Sequence, residues 1–357
     1  MSKVVHGGNL DELSRNFKLN KEDLIDFSAN INPLGLNNKV KEVIINALEE
    51  VERYPDITYF NLKSSISAFE GIEIDKLTLG NGAAEVIFNL LRAIKPKKVL
   101  LPAPTFGEYE EAALSVCSEI QYYYLKEERN WRIDEEINNY ISDDIDMVFI
   151  CNPNNPTGTI TKKETIVKIV EKAKITNTIV VIDESFLDFL REIENYSAIK
   201  LLEKYNNVFI IKSMTKLFAM PGIRIGYGIC NNKAILSKIE EVSVPWNINI
   251  LAEKAAIFSL GEKEYINKTR EYIEKEKDYL YEELAKFEDI KVFEPSVNFL
   301  MFKLNKEMDL KFELMKENII IRSCGNYEGL DNNYYRIAVR RREENEKLIK
   351  TLKKVIN

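Results

Sequence analysis

From about residue 75 to residue 230, short runs of β-branched and aromatic residues alternate with longer stretches whose apolar positions recur at spacings of three and four. The runs KVLLP (98–102), IQYYYL (120–125), DMVFIC (146–151), IVVID (179–183), VFIIKS (208–213) and IRIGYGIC (223–230) predict strands. Between them, AAEVIFNLLRAI (83–94) and KKETIVKIVEKAK (162–174) predict amphipathic helices. Such alternation predicts a mostly parallel sheet covered by helices. Asn152, Asp183 and Ser213 stand at the C-terminal ends of predicted strands, the edge at which open parallel sheets bind ligands.

The pattern changes after residue 261. Residues 262–288 predict one long charged helix with spaced tyrosines that bridges two domains. The tail, 289–357, offers strands over 297–304, 319–323 and 334–340 and a final basic amphipathic helix, the outline of a small α+β domain. Residues 1–35 read as an N-terminal arm. Residues 36–75, with a helix over 39–51, read as part of the small domain packed on that tail, and 76–261 form the large domain. No internal repeat or Pro/Gly linker interrupts the chain.

The chain has 357 residues, 45% of them hydrophobic, enough for cores in about two domains. Lys plus Arg total 50 against 57 Asp plus Glu, a net charge of −7 that argues against a nucleic-acid partner. No apolar run reaches the roughly eighteen residues a bilayer requires, and MSKVVHGGNLDEL lacks the apolar stretch of a secretory signal, so a cytoplasmic protein without a membrane partner is expected. Cys117, Cys151, Cys230 and Cys324 form no CxxC pair and are expected to be small buried residues. His6 is the sole histidine, which excludes a multi-histidine metal centre; no metal is expected.

Four polar motifs follow in order: GNGAAE (80–85), NPNNPTG (152–158), DES (183–185) and SMTKLFAMPGIRIG (213–226). Backbone amides of Gly82, Ala83 and Ala84 at a positive helix N-terminus can meet an anion. A carboxylate at the buried end of a strand, Asp183, needs a cation or strong donor. A lysine held in a partly desolvated pocket, Lys216, becomes a nucleophile toward carbonyls. Each motif alone has a plainer explanation: a strand-to-helix turn, a proline-rich β-to-α loop, a helix cap, a solvated lysine.

Together, a carboxylate for a ring nitrogen, an amine for an aldehyde and Arg224 with helix-terminus amides for a phosphate form the inventory that pyridoxal 5′-phosphate demands. With these motifs the chain resembles, over nearly its whole length, the fold-type I, class I/II PLP-dependent aminotransferase family. The resemblance implies an α/β fold, with a large PLP-binding domain built on a mostly parallel seven-stranded sheet plus a small α+β domain. It implies that Lys216 holds the cofactor covalently, that Asp183 keeps the pyridine nitrogen protonated and that Asn155 donates to the phenolic oxygen. Ser213, Arg224 and the amides of Gly82 to Ala84 correspond to the phosphate cradle, and Tyr109 of PTFGEY to the ring stacked on the pyridine. Tyr54 of RYPD resembles the tyrosine that reaches the neighbouring subunit's phosphate, which implies a homodimer.

Within that family, HGGN (6–9), FSANINPLG (27–35), IRSCGNYEGL (321–330) and YRIAVRRREEN (335–345) resemble the L-threonine O-3-phosphate decarboxylases of cobalamin biosynthesis. The implied reaction is decarboxylation of a small phosphorylated amino acid to (R)-1-amino-2-propanol phosphate. Arg336 then grips the α-carboxylate, Asn32 assists there, Arg322 binds a second anion, and His6, Gly7 and Gly8 form a phosphate-binding lip. Histidinol-phosphate aminotransferases are the alternative. They usually read DEAY where this chain has DESF, so Phe186 lacks a phenol that would touch the cofactor oxygen. Arg340, Arg341 and Arg342 are expected to be a solvated basic run.

Overall fold

The computed structural model describes residues 7–356. Strands β1 (Leu77–Gly80), β2 (Lys98–Ala103), β3 (Glu119–Tyr124), β4 (Met147–Cys151), β5 (Ile179–Asp183), β6 (Val208–Ser213) and β7 (Gly226–Cys230) form a seven-stranded sheet in the order β1-β7-β6-β5-β4-β2-β3. Only β7 runs against its neighbours; the other pairings are parallel. The central strands are buried end to end because both faces are covered. Period-two alternation divides their residues between two cores. Phe149, Val181, Phe209 and Ile211 pack with residues of the helices Ala83–Ile94 and Glu108–Ser115, whereas Val148, Ile150, Val180, Ile182 and Ile210 join the core on the other side.

The run IRIGYGIC begins its strand only at Gly226. Arg224 adopts φ +63°, which breaks the extended path and turns its side chain toward the sheet end. Gly226 is needed immediately afterwards, since a Cβ there would lie 2.4 Å from the Ala83 nitrogen.

Strands β8 (Ile290–Val292), β9 (Phe299–Leu304), β10 (Arg322–Ser323) and β11 (Tyr334–Ala338) form an antiparallel sheet ordered β10-β11-β9-β8. The single strand expected over 319–323 is divided. Ile319 and Ile320 pair in parallel with Ile25 and Asp26 of the arm, and Arg322 and Ser323 join the small sheet. The expectation that 36–75 packs on the tail is corrected: the helices Asn38–Ala47 and Phe60–Glu70 lie on the helix Ile250–Gly261. That helix buries Ala252, Ala255, Ala256 and Ser259, small residues that let neighbouring backbones approach.

The long helix spans Lys263–Leu284 and packs against the last one, Arg342–Ile356. The basic run is not free in solvent. Arg340 pairs with Glu344 at 2.7 Å, Arg341 Nε donates to Pro33 O at 3.1 Å, and Arg342 pairs with Glu276 at 2.9 Å. Three cysteines are buried as expected, but Cys117 is exposed in a turn at φ +61° after Glu108–Ser115. No helix among the described residues is long and apolar enough to cross a membrane.

Candidate active site

The C-terminal ends of β2, β4, β5 and β6 open into a cavity of about 1040 Å³ whose other wall is the small sheet and the arm. Lys216 reaches it from the short helix Met214–Leu217, which Ser213 caps by accepting from Thr215 N at 3.4 Å. The Lys216 ammonium has no hydrogen-bond or ion-pair partner among the described residues. Burial, helped by the nearby charges of Arg336 and Arg224, pulls its pKa down to about 8. The free amine, the form that attacks a carbonyl, is therefore far more populated near neutrality than in an ordinary lysine, though still the minor form.

Asp183, buried at the end of β5, accepts from the Tyr109 hydroxyl at 2.7 Å and from Ser185 N at 2.9 Å. Burial raises its pKa against those donors, and no cation pairs with it among the described residues. A protonated ring nitrogen set against it would supply that charge.

The phosphate end is a cradle shaped by a missing Cβ. Gly82, at φ +84°, lets Arg224 lie against its Cα; a Cβ there would be 2.1 Å from Arg224 Nη2. The one hydrogen bond of the Arg224 guanidinium among the described residues is long, 3.5 Å to Asn81 O. Ala83 and Ala84 at the helix start, Ser213, Thr215 and Arg224 line the same end of the cavity. Amides at a helix N-terminus, hydroxyls and a free guanidinium make a phosphate site. A buried lysine without a partner, a buried carboxylate without a counter-ion and this cradle fit pyridoxal 5′-phosphate.

Tyr109 does not present a ring for stacking. It is 0% exposed and its face lies on Phe149, ring centres 4.6 Å apart. Its role toward the cavity is the hydroxyl that holds Asp183. Phe106, three residues earlier in the same motif and partly exposed, lines the cavity and meets Tyr109 edge-on, so it is the ring available to a bound pyridine.

Arg336, on β11, donates from Nη2 to Ser28 O at 2.7 Å and from Nη1 to Asn155 Oδ1; its buried Nε has no partner. Asn155 thus spends its oxygen on Arg336 and keeps its amide nitrogen for the cavity it lines. Arg322 donates to Asn326 Oδ1 at 2.8 Å and covers the ring of Tyr327. Phe186 packs edge-on against Phe299, over which the Arg336 guanidinium lies, so a phenyl stack stands where a phenol would be.

Asn32 is a correction. Its amide donates to Leu217 O, Thr269 Oγ1 and Tyr265 Oη, and its oxygen accepts from Leu34 N, all away from the cavity. Asn30 lines the cavity instead, buried, with an unpartnered Oδ1. Gly7 also lines it and sits so close to Ser28 that a Cβ would be 2.1 Å from the Ser28 oxygen; Gly8 N donates to Ser28 Oγ at 2.8 Å. His6 lies outside the described residues. Tyr54 is 79% exposed beside Trp246, away from this chain's cavity. Among the described residues no cluster of His, Cys, Asp and Glu could hold a metal ion.

This fold and cavity define a fold-type I enzyme with its site at the strand ends of the large sheet, roofed by the small domain. The chain belongs to the aminotransferase class I and II family, whose model matches residues 22–352. It is 33% identical to a threonine-phosphate decarboxylase of Salmonella typhimurium, over 98% of this chain and 96% of that protein. It is 32% identical to a histidinol-phosphate aminotransferase of Methanococcus aeolicus, over 99% of this chain and 95% of that protein. Among solved structures, the histidinol-phosphate aminotransferase from Clostridium acetobutylicum superimposes with a TM-score of 0.88 at 38% identity, covering 93% of this chain and 99% of that one.

Proposed function

We propose that this PLP-dependent enzyme decarboxylates L-threonine O-3-phosphate to (R)-1-amino-2-propanol phosphate, a step of cobalamin biosynthesis. The observation that carries the reading is the pair Arg322 and Arg336, two buried guanidinium groups on one cavity wall in addition to Arg224. Arg224 serves the cofactor phosphate, which leaves two cationic positions for a substrate that bears both a carboxylate and a phosphate. Arg336, with Asn155 beside it, takes the carboxylate. Arg322 takes the phosphate, with Gly7 lining the same cavity.

Pyridoxal 5′-phosphate, when bound, supplies an electron sink for whichever Cα bond stands perpendicular to its ring. The chain's own groups do the rest. Asp183 holds a proton on the ring nitrogen, aided by the Tyr109 hydroxyl. Lys216 Nζ, depressed in pKa and facing the cavity, can return a proton to the carbon that loses CO2. The arginines decide which bond breaks by fixing the carboxylate and phosphate, a placement that matters to about 1 Å.

The residues of the partner subunit complete the proposal. Ile45, Leu48, Val51, Tyr54, Ile57, Phe60, Val244 and Trp246 are exposed apolar side chains on this chain's surface, and a second copy of the chain would cover them. Tyr54 would then reach the other subunit's phosphate cradle. Supplying threonine phosphate and histidinol phosphate to one cofactor-loaded preparation tests the function. Release of CO2 from the first supports it; conversion of the second to a keto product as the main reaction supports the aminotransferase instead.

A further inference from the structure

On the face of the sheet away from the cavity, Lys212 is enclosed by three carboxylates. Its Nζ lies 3.1 Å from Asp188 Oδ1, 3.3 Å from Glu184 Oε2 and 3.6 Å from Glu70 Oε1. Lys212 is 1% exposed and Glu184 0%. Apolar residues of similar volume fill such a space with equal or greater stability, so stability alone gives no reason for the cluster.

Its place in the chain does. Lys212 immediately precedes Ser213, and Glu184 immediately follows Asp183. Asp183 pairs with Ile211 across β5 and β6, and Glu184 N donates to Ile211 O at 2.8 Å. Because side chains alternate along a strand, Lys212 and Glu184 strap the two strand ends from below where Asp183 and Ser213 project above.

The carboxylates are tied outward in turn. Glu184 accepts from Ala198 N at 2.6 Å and Ser197 Oγ at 3.0 Å. Glu70, closing the helix Phe60–Glu70, accepts from the Tyr227 hydroxyl of β7. Arg270 Nε, from the long helix, donates to the Asp188 carbonyl at 3.0 Å. Burial raises the pKa of both Glu70 and Glu184 against the pull of Lys212.

We propose that Lys212 is a positioning residue: through Glu184, Asp188 and Glu70 it fixes the ends of β5 and β6 against each other, and with them the relation of Asp183 to Lys216. None of the four lines the cavity, so their effect on the site travels through the strand ends. The inference rests on reading Asp183 and Lys216 as the cofactor-holding pair.

Lys212→Met removes the charge, Lys212→Arg keeps it, and Glu184→Gln and Asp188→Asn each neutralise one carboxylate while keeping an acceptor. For every variant with wild-type circular dichroism, two quantities are measured: affinity for pyridoxal 5′-phosphate, and the pH midpoint for its borohydride-trapped attachment to Lys216. The Met and Gln variants are expected to bind the cofactor about tenfold more weakly, within the range by which residues that do not touch a ligand modulate its site, with a shifted midpoint. Arg is expected to restore both. A folded Met or Gln variant with wild-type affinity and midpoint overturns the proposal, and so does a loss that Arg leaves in place, which assigns the cluster to packing. Should Met fail to fold, Gln and Asn carry the same test. Peptide mapping of the wild-type adduct separates the premises: attachment to another lysine defeats the site reading, whereas attachment to Lys216 with unmoved variants defeats the positioning role alone.

Discussion

Arg322 and Arg336 are direct cross-strand partners on β10 and β11, both buried beside the same cavity, at 6% and 5% exposure. Opposed residues project to one face of a sheet, and like charges placed so repel. Among the described residues their hydrogen-bond acceptors are neutral: Asn326 Oδ1 for one, Asn155 Oδ1 and Ser28 O for the other. Two buried cations without counter-ions are costly until anions arrive, which is why we propose the pair as the recognition site for a doubly anionic substrate.

The two arginines are expected to separate in a substrate comparison. Losing one charge-assisted contact to a bound anion costs about 1.5–3 kcal/mol, roughly one to two decades in kcat/KM. Arg322→Ala should penalise threonine phosphate by that amount and leave unphosphorylated threonine nearly unchanged, with His6→Ala following the same pattern. Arg336→Ala should penalise both. Equal losses on the two substrates for all variants contradict the assignment of the anions.

Lys216 titration gives a pH signature. Its folded pKa is depressed to about 8, so the neutral amine grows in as pH rises through that value. The rate of pyridoxal 5′-phosphate capture should rise with pH to a plateau whose midpoint is near there, and not continue toward the ordinary lysine value of 10.5. Arg336→Ala removes one of the two cations that depress it and should move the midpoint upward. A midpoint at the ordinary lysine value contradicts the desolvated pocket.

Tyr109→Phe keeps the ring on Phe149 but deletes the donor to Asp183. A hydrogen bond to a charged group is worth about 1.5–3 kcal/mol, so cofactor affinity should fall at least several-fold while the fold persists. The sign with pH is definite. Asp183 is already pushed up by burial, and losing a donor that lowers its pKa pushes it higher. Cofactor binding in the variant should therefore fail at a higher pH on acidification than in the wild type. Spectral titration of cofactor at several pH values checks this; superimposable curves contradict it.

The dimer is tested by sedimentation. A species of two chains is expected, and Val244→Asp on the exposed apolar patch should weaken it. Tyr54→Phe should leave the dimer intact and lower cofactor affinity if, as we propose, its hydroxyl serves the other subunit's cradle. A monomer with full activity at the same concentration contradicts the shared site.

Much of this was legible in the sequence because motif order and strand ends coincide. Asp183, Ser213 and Lys216 converge since parallel strands deliver their C-terminal ends to one edge, and Arg224 joins them because the antiparallel β7 starts at that edge. The stacking ring expected at Tyr109 falls to Phe106 for a local reason. The helix begins at Glu108, so Tyr109 falls on its buried face while Phe106 stays on the turn before it. Asn30, and not the expected Asn32, faces the cavity because FSANINPLG is not a regular strand: Ile31 N bonds to Ala29 O and Gly35 N to Asn32 O, and these turns decide which asparagine points inward. The division of 319–323 between two sheets depended on the arm at Ile25 and Asp26, nearly three hundred residues away, which no local pattern encodes.

The most direct measurement is stoichiometric. Purified protein loaded with pyridoxal 5′-phosphate is given carboxyl-labelled threonine phosphate, and CO2 and 1-amino-2-propanol phosphate are counted against substrate consumed. One of each per substrate is the expected result. Retention of the label in a keto product, with an amino group passed to the cofactor or to a keto acid, would contradict decarboxylation and make this site an aminotransferase.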